Sequence, residues 1–243
     1  ETYHNTVHAM QEIQQAFNQG LVELAVRARA EQLYSAICVC LRDKINPAKR
    51  PHQQILEELD ESLADKVFCN FSIFQSIPDV WAIDQIFPIV PLQRLNEKPD
   101  RRAILHDLTC DSDGRVDLYV DEVGIESTLA LHHIEAGERY LLGIFLVGAY
   151  QETLGDIHNL FGDTAAVNVS QDDEGNIELD NIFSGENVSE LLVQVDYDPE
   201  NIRQCIMARA MAARLPEDER KTLVADLESS LRSYSYLVME DIL

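Results

Sequence analysis

One cysteine of the chain lies in a setting where its chemistry could matter, the motif TCDSDG at residues 109–114. Cys110 follows an apolar, β-rich run and is flanked by carboxylates, which disfavour the thiolate. We therefore expect a protonated thiol, which suits a proton donor better than a nucleophile. A structural thiol in an Asx-turn is the simpler interpretation, and residue chemistry alone favours it.

A tyrosine and two aspartates are the other residues that could do chemistry. Tyr150 follows Gly148 and Ala149, whose small side chains let another molecule approach the backbone, and its phenol can donate a hydrogen bond. Asp79 and Asp84 lie five residues apart in a largely apolar segment. The simpler interpretations are a core tyrosine and, for Asp79, the N-cap of a short helix.

The residues themselves predict neither a metal site nor a covalent cofactor anchor. The five cysteines, at positions 38, 40, 69, 110 and 205, lack zinc-ligand spacing, and their odd number predicts reduced thiols in the cytoplasm. The lysines lie near polar or element-end sequence, unlike a Schiff-base lysine in an apolar setting. His158 has two interpretations, a core histidine, which is favoured, and a residue that packs under the loop carrying Cys110.

Acidic side chains dominate the charge of the chain. It has 43 Asp and Glu against 19 Lys and Arg, a net charge of −24. Nucleic acid is therefore a poor partner, because phosphate binding needs clustered basic residues. An acidic surface can attract cationic substrates such as arginine, although solubility explains it at least as well. No membrane partner is expected, because no apolar run reaches the roughly 18 to 20 residues that span a bilayer.

The elements that must position these residues are predicted by periodicity. Helices are expected at 2–18, 21–43, 52–64, 80–85, 151–159, 184–195, 199–214 and 216–233, the second ending at Asn46-Pro47. Strands are expected at 67–74, 86–90, 103–109, 115–120, 125–131, 140–148, 165–170 and 176–179. The predicted fold is α+β, with an N-terminal helical bundle (1–65), a mostly antiparallel sheet or open barrel (66–180) and C-terminal helices (181–243).

Three motifs in order resemble the C-terminal part of the biosynthetic arginine decarboxylases. They are FSIFQSIPDVWAIDQIFPI at 71–89, TCDSDG at 109–114 and VGAYQETLG at 147–155, and the similarity continues into HNLFGD at 158–163. These enzymes belong to the alanine-racemase-like pyridoxal-phosphate decarboxylases, in which an N-terminal (β/α)₈ barrel carries the Schiff-base lysine. The sequence has no such barrel pattern, so the resemblance implies a C-terminal part without the barrel.

The resemblance also implies roles for the candidate residues. In the family the cysteine that matches Cys110 returns a proton to the carbon that has lost carbon dioxide. The aspartate that matches Asp111 faces the distal cationic group of the substrate across a dimer interface. The tyrosine that matches Tyr150 donates to the phosphate of pyridoxal 5'-phosphate, and Asp79 and Asp84 lie where the family sets substrate specificity. A Mg²⁺ ion is a further cofactor that the family suggests.

The function implied is a share in converting L-arginine to agmatine and carbon dioxide, a carbon–carbon lyase reaction of polyamine biosynthesis. The resemblance implies a homodimer or higher homo-oligomer in the cytoplasm, with the cofactor's lysine on a barrel domain or chain. The 243-residue chain alone is therefore expected to be inactive. Two alternatives stay open: a related decarboxylase of diaminopimelate, ornithine or carboxynorspermidine, and a non-catalytic assembly or regulatory subunit.

Overall fold

A computed structural model describes residues 1–46, 49–121, 124–213 and 215–238. The helices are α1 (Thr2–Asn18), α2 (Leu24–Lys44), α3 (Arg50–Leu63), α4 (Ile73–Ser76), α5 (Pro78–Ile83), α6 (Ala149–Thr153), α7 (Val188–Gln194), α8 (Pro199–Ala212) and α9 (Glu217–Leu231), with a 3₁₀ turn at His158–Leu160. The strands are β1 (Asp65–Phe68), β2 (Ile89–Pro91), β3 (Arg101–His106), β4 (Tyr119–Asp121), β5 (Gly124–Glu126), β6 (Leu129–Leu131), β7 (Leu142–Ile144), β8 (Ala166–Gln171) and β9 (Ile177–Phe183). The predicted helix ends at Pro47 and Arg214 lie outside the described residues.

The strands form small sheets, and this confirms the predicted α+β class. Antiparallel pairing joins β2 to β7, β3 to β6, β4 to β5, and β8 to β9. One sheet has the strand order β1–β3–β6. Within the described part of the chain these sheets do not close into a barrel.

Backbone contacts group the chain into two compact units. The first comprises Glu1–Val67, Ile86–His106 and Val116–Leu146, and the second comprises Phe68–Gln85, Asp107–Arg115 and the chain from Val147 onward. A grouping of contacts does not show which parts fold independently. The division of the chain at residues 65 and 180 therefore stays a prediction.

The first unit begins with the predicted helical bundle. Tyr3, Cys38 and Leu59 come from α1, α2 and α3 and form its buried centre, with Ile55 and Leu63 packed against them. The spacing of Ile55, Leu59 and Leu63 places all three on one face of α3, because residues four apart lie one turn apart on a helix. This repeated spacing is why periodicity alone located the bundle.

The same unit contains a small β core around Tyr119. Ala103 and Leu105 alternate inward along β3 and are almost fully buried. The Tyr119 hydroxyl donates to the Val116 carbonyl at 2.6 Å and accepts the Leu105 amide at 2.8 Å. The buried phenol thus satisfies backbone groups that these short strands leave open.

Several strand predictions were wrong in extent, including the one at 115–120, where β4 covers only Tyr119–Asp121. The strand predicted at 67–74 ends at Phe68, and α4 follows it with Ser72 as its N-cap. The strand predicted at 140–148 covers only Leu142–Ile144, because Leu146 has a positive φ of 61° and is 85% exposed. The strand predicted at 125–131 is divided into β5 and β6.

The second unit carries the C-terminal helices, which pack on one another around Leu191 and Leu231. α7 begins with a capping box, in which Asn187 and Glu190 exchange side-chain to backbone hydrogen bonds. Within the described residues, no helix combines the length and apolar character that crossing a membrane requires.

Candidate active site

A buried carboxylate holds the loop that carries Cys110. Asp107 is 1% exposed, and its Oδ2 accepts the backbone amide of Ile73 at 2.9 Å. Its Oδ1 accepts the Thr109 amide at 2.9 Å and the Thr109 hydroxyl at 2.7 Å. The Asp107 amide donates to the Gly114 carbonyl at 2.8 Å and so closes the loop. Three hydrogen bonds to one charged group make this loop a preorganised platform.

Glycine is required at the end of this loop. A Cβ atom on Gly114 would lie 2.2 Å from Asp107 Oδ1 and 2.6 Å from Thr109 Oγ1. Both atoms belong to the hydrogen-bond network between Asp107 and Thr109, which a shift would disturb. The glycine therefore serves close packing against Asp107 as well as the predicted turn.

The segment HNLFGD meets the platform at both candidate residues. The Cys110 amide donates to Asn159 Oδ1 at 3.2 Å, and the exposed thiol Sγ lies 3.7 Å from the same oxygen. His158 Nε2 lies 3.3 Å from Asp111 Oδ2, and both side chains are 34% exposed. The structural-thiol interpretation of Cys110 is incomplete, because an Asx-turn is present at Asp111 but the thiol itself is exposed.

His158 corrects a prediction from the sequence. It was expected to be a core histidine, yet it is only partly buried and pairs with Asp111. Its ring stacks on Phe74, with ring centroids 4.4 Å apart. Asn159 has a positive φ of 56°, a conformation that asparagine tolerates better than most residues. The density of polar residues in HNLFGD was the signal that could have identified both.

The helix α4 connects the platform to its surroundings within the second unit. The amide of Ile73, its first residue, donates to Asp107. The ring of Phe74 contacts both His158 and Trp81. The side chain of Gln75 donates a hydrogen bond to Asp163. Sequence alternation predicted a strand here, whereas the Ser72 cap and the Asp107 acceptor favour a helical turn. Tertiary hydrogen bonding has overridden the local β pattern.

Asp79 and Tyr150 lie on two neighbouring parts of this unit. Gln151 Nε2 donates to Asp79 Oδ2 at 2.5 Å, and the Asp79 amide donates to Gln151 Oε1 at 3.1 Å. Asp79 is therefore not the N-cap of α5, a position that Ile77 occupies. Tyr150 lies in the first turn of α6, and with 77% of its surface exposed it is not a core tyrosine.

Asp84 lies apart from these contacts at the other end of α5. It is the C-cap, has a left-handed φ of 54° and is exposed. The structure thus brings Asp79 to the base of the Tyr150 helix and Cys110 and Asp111 to HNLFGD. It places Asp84 on the surface, where a structural role as helix terminus already accounts for its conformation.

Comparison with known proteins gives a consistent result. A family model described as the arginine decarboxylase helical bundle domain matches residues 1–60, and one described as the arginine decarboxylase C-terminal helical extension matches 188–237. Biosynthetic arginine decarboxylases from Alkalilimnicola ehrlichii and Pseudomonas aeruginosa are 53% and 46% identical, each over 98% of this chain. Over nearly its whole length the chain is therefore similar to biosynthetic arginine decarboxylases.

Structural similarity agrees with this assignment. The crystal structure of the biosynthetic arginine decarboxylase from Campylobacter jejuni has a TM-score of 0.75 and 32% identity, and the match covers 97% of this chain. The chain spans 38% and 37% of the two sequence relatives and 37% of the C. jejuni chain. The resemblance inferred from the three motifs is thereby confirmed. Most of the relatives' length has no counterpart in this chain.

The residues of this chain fit part of the cofactor that arginine decarboxylases are expected to use. Tyr150 presents an exposed phenol, and no described atom lies within 4 Å of where a Cβ on Gly148 would be, so a phosphate has room to approach. All five lysines, at positions 44, 49, 66, 98 and 221, are exposed. The set fits a contact to the phosphate and does not fit covalent attachment. In the described part of the chain no group of three His, Cys, Asp or Glu could hold a metal ion, and the Mg²⁺ expectation stays a prediction.

Proposed function

We propose that this chain supplies one side of the active site of a pyridoxal-phosphate-dependent arginine decarboxylase, which converts L-arginine to agmatine and carbon dioxide in polyamine biosynthesis. When bound, pyridoxal 5'-phosphate supplies the electron sink that allows the carboxyl group to leave. The lysine that anchors it lies on the barrel, which the rest of the relatives' length would supply. Tyr150 holds its phosphate by a hydrogen bond.

The observation that carries the proposal is the exposed Cys110 thiol on a loop fixed from beneath by Asp107. A proton donor must be held at one position while its proton remains accessible. Cys110 then protonates the carbon that has lost carbon dioxide. Asn159, whose amide oxygen lies 3.7 Å from Sγ, orients the thiol.

Asp111 binds the distal guanidinium group of arginine in this proposal. Its Oδ1 is used by the Asp113 amide at 2.9 Å, while Oδ2 faces His158 at 3.3 Å and is the oxygen that a cation would share. The site is composite, formed across a homodimer, so that Cys110 and Asp111 serve the partner subunit's cofactor. None of the five cysteines forms a disulfide bond within the described part of the chain, which suits a reducing compartment and supports the cytoplasm as its location.

The experiment is an agmatine assay on a protein of full family length that contains this sequence. Asp111→Asn should lower kcat/KM for arginine by about tenfold to a hundredfold, the scale of one charge-assisted contact. Asp113→Asn, an exposed neighbour on the same loop, is the matched control and should change it less than threefold. Equal effects of the two variants would remove Asp111 from the substrate site.

The 243-residue chain by itself should release no agmatine, because it provides no lysine suited to anchoring the cofactor. Agmatine release by the pure chain would contradict this assignment of roles. Turnover of ornithine, diaminopimelate or carboxynorspermidine in preference to arginine by the full-length protein would select the related decarboxylases. A full-length protein without any decarboxylase activity would favour an assembly or regulatory subunit.

A further inference from the structure

Residues 234–237 follow α9 and are hydrogen-bonded to the segment HNLFGD; we call them the C-terminal strap. Gly162, the fifth residue of HNLFGD, is held through both of its backbone groups. Its amide donates to Ser235 Oγ at 3.1 Å, and its carbonyl accepts the Tyr236 hydroxyl at 2.8 Å. The strap therefore fixes one end of this segment. None of the roles proposed above uses it.

The C-terminal strap is itself firmly attached to the second unit. Tyr236 is 5% exposed, and its ring contacts those of Phe161 and Tyr234, with ring centroids 5.1 Å apart in both pairs. Leu237 and Asn70 exchange two hydrogen bonds of 2.9 Å, one from the Leu237 amide and one from the Asn70 side chain. The strap thus offers hydrogen-bond partners whose own positions are fixed.

A strained turn lies just before Gly162. Asn159 and Leu160 are consecutive left-handed residues, with φ angles of 56° and 61°. Asparagine tolerates this conformation, but a leucine there is unusual, because its side chain crowds the backbone. Such strain persists only where the surrounding structure enforces it. Burial of Leu160 does not enforce it, since this residue is 45% exposed. The turn therefore depends on the contacts on either side of it.

The turn is held on one side by the Cys110 loop and on the other by the strap. Asn159 Oδ1 accepts the Cys110 amide at 3.2 Å, and Gly162 follows three residues later. We propose that the C-terminal strap holds this turn against the loop, with Tyr236 as a positioning residue for the Cys110 thiol. Tyr236 acts through Gly162 and Asn159 and does not touch the reacting atoms. The inference rests on the proposed role of Cys110 as the proton donor and deepens it.

Amide hydrogen exchange of the 243-residue chain, followed residue by residue by NMR, tests this coupling. Tyr236→Phe keeps the ring and removes only the hydroxyl that bonds Gly162. The Cys110 amide, whose acceptor is Asn159, should then exchange at least about fivefold faster, the scale of one neutral hydrogen bond. Ser235→Ala removes the other bond to Gly162 and should act in the same direction.

Tyr119→Phe is the matched control. Tyr119 is also a buried tyrosine whose hydroxyl donates to a backbone carbonyl, but its partners Val116 and Leu105 belong to the first unit. Removing this hydroxyl should change the exchange of the Cys110 amide by less than about twofold, because it breaks no contact of HNLFGD. An equal change in both variants would indicate general destabilisation rather than a link through the strap.

A kinetic test uses a protein of full family length that contains this sequence. Tyr236→Phe should lower kcat by about threefold or more and change KM for arginine by less than about twofold, because a displaced thiol affects the return of the proton and not substrate binding. In a Cys110→Ala background the same substitution should lower kcat no further, since the group that it positions is absent. A purely structural tyrosine would have the same effect in both backgrounds.

Unchanged exchange of the Cys110 amide in Tyr236→Phe would overturn the inference. An equal change in Tyr119→Phe would do the same, as would a loss of kcat that persists in the Cys110→Ala background. Full activity of Cys110→Ala would instead overturn the proposed function, and the exchange measurement would still decide whether the strap holds the loop.

Discussion

The Cys110 loop and the Tyr150 helix belong to the same compact unit but are held in opposite ways. Asp107 fixes the loop from beneath through hydrogen bonds to Ile73 and Thr109, and it is almost completely buried. Tyr150 stands on a five-residue helix with 77% of its surface exposed. The loop of one candidate is fixed by several hydrogen bonds within the chain, whereas most of the surface of the other candidate is open.

This difference matches the two roles proposed for Cys110 and Tyr150. A proton donor acts at one atom and must be positioned before the reaction, so its supports are built into the protein. A side chain that binds phosphate can be positioned by the ligand itself. Until then an exposed phenol stays solvated and carries no desolvation cost. Stability measurements should therefore respond strongly to changes beneath the loop and weakly to changes at the start of α6.

The largest effect should come from removing the buried carboxylate. Asp107→Ala leaves the Ile73 amide without its acceptor and removes both hydrogen bonds from Thr109. We expect the free energy of unfolding to fall by about 3 to 5 kcal/mol in urea titrations, from lost bonds to a charged group and a stranded buried donor. Asp113→Ala, on the exposed part of the loop, should cost less than about 1 kcal/mol. Comparable losses would show that the loop does not depend on Asp107.

A pair of glycines makes the same comparison sharper. Gly114→Ala places a Cβ against Asp107 and Thr109 and should destabilise the chain by about 2 kcal/mol or more. Gly148→Ala meets no described atom within 4 Å and has an ordinary φ of −91°, so its cost should stay within about 1 kcal/mol. Thermal unfolding of both variants measures the difference. A reversal of the order would mean that α6, rather than the loop, is tightly packed.

A smaller effect is expected in the pH dependence of stability. The pKa of Asp163 is raised in the folded protein, mainly by burial and also by Glu186 and Glu152, so the folded state holds this proton more tightly than the unfolded state. The protonated Asp163 side chain thus contributes to folding stability. This contribution is fully present below the ordinary pKa of aspartate, near pH 4, and is lost as pH rises through the raised pKa of the folded state. Asp163→Asn should therefore gain stability relative to the natural chain between pH 4 and pH 7. Glu178→Gln serves as control, and an unchanged difference between variant and natural chain across this range would contradict the prediction.

The mildest test compares the reactivity of thiols. Burial raises the pKa of Cys69 to about 11, and Cys38 is fully buried with a pKa that burial also raises. Cys110, Cys40 and Cys205 are exposed. Iodoacetamide at pH 8 should label the three exposed thiols well before Cys38 and Cys69, and mass spectrometry of peptides can follow this. Labelling of Cys110 as slow as that of Cys38 would contradict an accessible proton donor.

Periodicity located the elements whose side chains are buried at regular spacing. It failed where single hydrogen bonds determine the local structure. The bundle and C-terminal helices were located within a few residues, and so was the hairpin of β8 and β9. The segment from Cys69 to Ser76 alternates like a strand, yet the Ser72 cap and the distant Asp107 carboxylate turn its end into a helix. No local pattern reports an acceptor that lies 34 residues away along the chain.

The residues of the candidate site also fall into those that the sequence indicated and those that it did not. The resemblance of three motifs marked Cys110, Asp111 and Tyr150 as candidates, and their roles stay predictions. The supporting residues Asp107 and Asn159 were missed, since their importance comes from what they touch. The available signals were a polar residue near the end of an otherwise apolar run for Asp107 and the density of polar residues in HNLFGD for Asn159.

The central claim, that Cys110 is a proton donor in a partner subunit's site, is tested most directly by mixing variants of a full-length protein. Cys110→Ala should leave cofactor binding nearly intact and lower kcat by about a hundredfold or more, the scale of losing a positioned general acid. A second variant lacks the barrel lysine and is also inactive. Exchange of subunits between the two should restore part of the activity, because some mixed dimers then contain one complete site. Full activity of Cys110→Ala, or no recovery once subunit exchange is demonstrated, would contradict the account.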